Sequence, residues 1–241
     1  MRRHMFRWSP ARIIAGAFGS ISFIGSILLY LPWGHMPGQS ITYVDALYTA
    51  VSALCVTGLS IVDTAAVFNP FGQAILAVLI QVGGLGVSTM GAGVLLMLGR
   101  KVGIRQRNLI HDTMNLDSYS GVVRFLRTLF ATTVFIEVIG AFLGYFVFRR
   151  DYEMMESIGL SIFHSISSFN NAGLTILTKE RSMEMYAEDP FMLILTTALV
   201  FVGGLGFIVI RECWVNRFRW RKLSMHSRVS IFMAVFLLIG G

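Results

Sequence analysis

Charge is scarce in this chain. Asp, Glu, Lys and Arg supply 14% of its 241 residues, where a soluble domain carries roughly 25%. So thin a supply cannot cover a water-facing surface, and with 55% hydrophobic residues and a mean hydropathy of +0.68 it excludes an ordinary soluble domain. Cysteine is scarcer still: Cys55 and Cys213 are too few for a disulfide framework, and neither has the neighbours of a thiolate metal site. The five histidines are scattered, without H-x-x-H or Cys/His clustering, so no metal or haem site is predicted. No nucleophile, acid–base pair or metal triad converges in the sequence, which argues against an enzyme. Nor is there a nucleotide motif, and no cofactor is predicted for this chain.

What is abundant is long apolar sequence. A helix needs roughly 20 apolar residues to cross the ~30 Å hydrocarbon core of a bilayer. Four runs reach that length: Ile13–Leu31, Phe71–Leu98, Phe125–Phe148, which carries Arg127 near its start and Glu137 at its middle, and Phe191–Ile210. Each reads as an unbroken span. A fifth run, Val229–Gly241, has thirteen residues and would rise only about 20 Å as a helix, so it reads as the start of a further unit of a longer chain. The first run follows a basic start, but it exceeds a signal h-region and lacks a small-residue cleavage site before Pro32, so it is predicted to be retained.

Sixteen of the twenty Lys and Arg residues lie before the first run, between the second and third with Arg127 at the start of the third, or between the fourth and fifth. The positive-inside rule places those segments in the cytoplasm and predicts a multi-pass protein of the cell membrane with a cytoplasmic N-terminus. Residues 32–70, with no Lys or Arg, and 149–190, with four basic and seven acidic residues, belong outside. Cys55 and Cys213 then fall on opposite sides, which rules out a disulfide between them. The net charge of +7 follows from topology and anionic lipid headgroups, with no nucleic acid partner.

The chain also repeats itself. Gln81-Val-Gly-Gly-Leu-Gly-Val87 parallels Phe201-Val-Gly-Gly-Leu-Gly-Phe207, so residues 1–98 and 125–210 form two units in the same orientation, joined by cytoplasmic connections 99–124 and 211–228 and followed by the start of a third at 229–241. Between the spans of each unit lies a stretch too apolar for an exposed loop and too short to cross: Tyr43–Leu54 and Ile158–Phe169. Each reads as a re-entrant helix entering from the extracellular side, followed by a return strand. The strands Cys55-Val-Thr-Gly-Leu-Ser60 and Asn170-Asn-Ala-Gly-Leu-Thr175 align at Gly58 and Gly173. The predicted fold is therefore an all-α integral membrane protein of tandem parallel helix–pore loop–helix repeats, as in potassium channels. A potassium filter replaces the hydration shell with backbone carbonyls, and glycine permits the backbone angles this needs. No carboxylate lies in either strand, whereas a calcium-type pore would present a ring of them.

These segments resemble the Trk/Ktr/HKT potassium transporters, most of all the N-terminal half of a KtrB-type membrane subunit. The resemblance rests on Ser52-Ala-Leu-Cys-Val-Thr-Gly-Leu59, Ile162-Phe-His-Ser-Ile-Ser-Ser-Phe-Asn-Asn-Ala-Gly173, Gln81-Val-Gly-Gly-Leu-Gly86 and Gly103-Ile-Arg-Gln-Arg107. It implies potassium uptake through a pore of four such units in one polypeptide, two of which are here. It further implies a homodimer and a cytoplasmic RCK-type nucleotide-binding regulatory partner. By the same resemblance the ion ligands are the carbonyls of Val56, Thr57 and Gly58 and of Asn171, Ala172 and Gly173, flanked by Cys55 and Asn170. Serine at the first filter glycine goes with sodium selectivity in plant members of the family; both glycines here resemble the potassium-permeable pattern.

Other features have plainer readings. The repeated Gly-Gly-Leu-Gly reads first as close helix packing. Glu137 reads as hydrogen-bonded within the membrane, with a proton or sodium site as the alternative. Asp45 and Asp63 are either outer-mouth charges or, respectively, a helix cap and a turn former. His164 reads as packed and hydrogen-bonded, not as a pH sensor. Two other functional classes remain beside the channel-like subunit: a non-conducting fragment or assembly partner, and an ion-coupled secondary transporter. The parallel repeats and unbroken spans weigh against the last.

Overall fold

A computed structural model describes residues 10–86, 89–90, 122–177, 183–217 and 219–240. Among them every regular element is helical, and the one strand-like pairing is an isolated antiparallel bridge between His35 and Phe68. Helix α1 (Pro10–Tyr30) leads through a turn at Pro32–Gly34 to the short helices α2 (Tyr43–Leu54) and α3 (Thr64–Val67) and then to α4 (Pro70–Leu85). A second set follows: α5 (Val122–Phe148), α6 (Met154–Phe169), α7 (Pro190–Gly204) and α8 (Phe207–Val215), with α9 (Met225–Gly240) after it.

The helix starts are written locally. Thr42 and Asp45 form a capping box on α2, with the Thr42 hydroxyl accepting from the Asp45 N–H and the Asp45 carboxylate accepting from the Thr42 N–H, each at 3.2 Å. Asp63 caps α3 by accepting from the N–H groups of Ala65 and Ala66 at 3.1 Å. The two long helices that follow begin alike: Asn69 caps α4 and Asp189 caps α7, each with proline at the first helical position. Asp189 is also the 2.7 Å ion-pair partner of Arg150, just beyond the end of α5.

Two of the expected spans are interrupted. The second was to run unbroken to Leu98, but α4 ends at Leu85 and Gly86 takes φ +82°; residues 91–98 lie outside those described. The fourth breaks between Gly204 and Phe207, where Gly206 has φ +80° and α8 leaves α7 at 98°. The physical reason is the same in both: glycine adopts left-handed backbone without a Cβ penalty, and there the helical ladder stops. Span continuity therefore gives no ground against an ion-coupled transporter. By length and composition, one described helical stretch suffices to cross a bilayer, Phe125–Phe148, or two if Pro190–Gly204 and Phe207–Trp214 form one bent span. Ile14–Tyr30, Pro70–Leu85 and Met225–Leu238 are shorter apolar helices. The re-entrant stretch predicted from Ile158 begins earlier, at Met154.

Burial runs opposite to that of a water-soluble bundle. Large apolar side chains such as Phe23, Phe142, Ile194 and Leu237 stand exposed, while serines 157, 161, 165, 167 and 168 on α6 are buried. An outer face of this kind suits lipid, and the small inner residues let helices approach closely. One core joins the two sets of helices, from Leu29, Phe68 and Ile80 to Phe148, Phe169 and Leu199.

Candidate functional site

Helices α2 and α6 end in the same way. After Leu54 and Phe169 the chain takes one more right-handed step, at Cys55 and Asn170, and then a left-handed one, at Val56 (φ 56°) and Asn171 (φ 58°). A second left-handed residue follows at Gly58 (φ 73°) and Gly173 (φ 69°). A β-branched residue such as Val56 rarely adopts this region, so its surroundings must hold it there. They do so through matching hydrogen bonds. The N–H of Thr57 returns to Ser52 O at 3.0 Å and that of Ala172 to Ser167 O at 2.8 Å. The Ser52 hydroxyl donates to Leu59 O and the Ser167 hydroxyl to Leu174 O, both at 2.6 Å.

With these N–H groups turned back into the helix ends, the carbonyls are left over. Among the described residues none donates to the carbonyls of Val56, Thr57, Gly58, Asn171, Ala172 or Gly173. Ala172 is buried, Val56 and Gly58 are half-buried, and Thr57, Asn171 and Gly173 are exposed, so these oxygens stand where water or a cation can take up the acceptor positions that the chain leaves open. The segments also meet. A Cβ on Gly58 would lie 2.5 Å from Ala172 O, and one on Gly173 would lie 3.9 Å from the Gly58 Cα. The carboxyl ends of α2 and α6 stand immediately before them, adding partial negative charge.

The repeated Gly-Gly-Leu-Gly places these ends. A Cβ on Gly83 would fall 1.9 Å from Leu54 O, and one on Gly203 1.7 Å from Phe169 O. Each glycine lets a long helix press its backbone against the last carbonyl of the short one, so the motif is close packing, of helix against helix end.

The flanking residues differ between the sets. Cys55 is exposed, whereas Asn170 is buried and donates through Nδ2 to Gln81 Oε1 at 3.0 Å, Glu137 Oε1 at 3.3 Å and Ile166 O at 2.9 Å. Asn171, oriented to satisfy its amide, donates to Val200 O and accepts from the Gly204 N–H, both at 3.3 Å. Asp45 and Asp63 are committed to the helix caps described above. His164 is packed against Phe148, with ring centroids 5.9 Å apart, and bonded to the hydroxyls of Thr196 at 3.0 Å and Ser168 at 3.3 Å. Gly103-Ile-Arg-Gln-Arg107 lies outside the described residues. Sequence reasoning missed Gln81 and Thr64, whose hydroxyl donates to Thr175 O across the two sets. It also passed over the serine struts, although serine three residues before Cys55 and three before Asn170 was a signal in plain view.

A chain that is helical throughout its described regular elements, with a lipid-suited surface and two matched carbonyl-bearing breaks, has the makings of a membrane transport protein. The chain belongs to the TrkH family of cation transport proteins, whose profile matches residues 10–234. It is 36% identical over 235 residues to the potassium/sodium uptake protein NtpJ of Enterococcus hirae, covering 98% of this chain and 51% of that protein. It is 34% identical over 225 residues to the Ktr system potassium uptake protein B of Bacillus subtilis, covering 93% and 49%. The Vibrio alginolyticus protein of the same name is 35% identical over 247 residues, covering 100% and 52%. The chain spans about half the length of the curated relatives it matches.

Proposed function

We propose that this chain supplies two of the four pore-loop units of a potassium uptake protein, each unit lending one carbonyl-lined strand to a shared filter. The observation that carries this reading is the set of six carbonyls, at 56–58 and 171–173, that accept no hydrogen bond among the described residues and belong to segments in contact at Gly58 and Ala172. A potassium ion stripped of water needs such oxygens, fixed in place and neutral. The names of the relatives, potassium and potassium/sodium uptake proteins, support the same cation class.

In this reading α1 with α4, and α5 with α7, are the helix pairs of units 1–98 and 125–210, while α2 and α6 are re-entrant helices entering from outside. The connections 99–124 and 211–228 face the cytoplasm, where an RCK-type nucleotide-binding ring would dock, and the protein works as a homodimer. The test is growth of potassium-starved cells that lack their own uptake systems, given the complete gene that encodes this chain. Restored growth at low potassium is the expected result. No growth, with the protein verified in the membrane, overturns the proposal and favours a non-conducting assembly role.

A further inference from the structure

The two carbonyl segments are alike in backbone but not in support, and the difference lies at their first residue. Cys55 opens the first segment as an exposed side chain. Asn170 opens the second from a buried position, and its Nδ2 faces acceptors on three elements: Gln81 on α4, Glu137 on α5 and Ile166 on α6. Gln81 belongs to the other set of helices, so this amide ties the second segment to the first set's long helix. Space is reserved for the link, since a Cβ on Gly84 would sit 2.0 Å from Asn170 Oδ1. Two hydrogens shared among three acceptors leave no slack, and a buried amide with so many partners holds one orientation.

We propose that Asn170 is a positioning residue for ion selectivity: through Gln81 and Glu137 it fixes the second carbonyl segment against the first, and potassium-over-sodium discrimination depends on that link. This inference rests on the pore reading above. Selectivity by backbone oxygens requires that they keep their number and placement around the larger ion. The first segment is steadied by its contact with the second, at Gly58 and Ala172. A second segment released at Asn170 can close on the smaller ion and carry the first with it. The acceptor at position 137 matters in this scheme and its charge does not.

The test is rubidium and sodium uptake into proteoliposomes holding the complete protein. Asn170→Leu should lower the ratio of rubidium to sodium uptake by about tenfold while rubidium uptake persists. Gln81→Leu should lower it by a smaller factor, and Glu137→Gln, which keeps an oxygen acceptor, should leave it within about twofold of the unmodified protein. The double variant Gln81→Leu with Asn170→Leu should be no less selective than Asn170→Leu alone, because both cut one link. An unchanged ratio in an Asn170→Leu protein that still carries rubidium overturns the proposal. If Asn170→Leu does not fold, an unchanged ratio in Gln81→Leu overturns it equally. A tenfold loss in Glu137→Gln overturns the part assigned to the acceptor. An unmodified protein that carries neither ion refutes the pore reading itself, an outcome distinct from all of these.

Discussion

A Cβ placed on Gly58 would lie 2.5 Å from the carbonyl oxygen of Ala172, in a segment more than a hundred residues away in sequence. Glycine is required there twice over. Its φ of 73° is left-handed, and the space a side chain would need is taken by the Ala172 oxygen, which we propose binds the ion. Replacing it should therefore alter the ion and not merely the fold. Gly58→Ser is expected to raise sodium permeation relative to potassium, because the added Cβ must push the Ala172 carbonyl from its place. Measured permeability ratios check this, and an unaltered ratio removes Gly58 from the filter.

Gly203→Ala tests the packing behind the proposed filter. An added Cβ would fall 1.7 Å from Phe169 O, so α7 and the end of α6 must separate. Overpacking of this kind costs about 1–3 kcal/mol. A lower melting temperature in detergent, together with reduced uptake, is the expected outcome. Gly83→Ala should behave likewise, since its Cβ would meet Leu54 O at 1.9 Å.

Ser167→Ala removes the strut to Leu174 O, a buried 2.6 Å hydrogen bond. The orphaned carbonyl should cost about 1–3 kcal/mol. Thermal unfolding would read the loss, and Ser52→Ala should show a smaller one because its site is less buried.

Asp189 links stability to pH. The N–H of Met192 foremost lowers its carboxyl below the usual range; desolvation, next in size, opposes this, and the N–H of Phe191 and the Arg150 guanidinium add to the lowering. A carboxyl depressed on folding contributes stability above its unfolded pKa, and that contribution fades as pH falls through the folded one. Acid should therefore loosen the start of α7, and Asp189→Asn should remove this part of the acid sensitivity. Melting curves of both proteins between neutral and acidic pH check it.

Much of this was legible in the chain because the signals are local. Tyr43–Leu54 has the limits read from its apolar pattern, and Gly58 and Gly173 both take the left-handed backbone that glycine allows. The breaks at Gly86 and Gly206 were not read, although glycine stood at each, because apolar runs continue through them and hydropathy records composition, not backbone direction. The Asn170–Gln81 link was out of reach for a different reason. It joins positions far apart in sequence through a side chain that ordinary patterns treat as a loop residue, and only the meeting of α4 with α6 brings them together.

The most direct measurement is anomalous diffraction from crystals of the complete protein in rubidium or thallium, either of which stands in for potassium. Anomalous density is predicted between the segment Val56–Gly58 and the segment Asn171–Gly173, within coordination distance of their carbonyl oxygens. Ordered ions elsewhere, with none between these segments, would contradict the assignment of the six carbonyls to potassium.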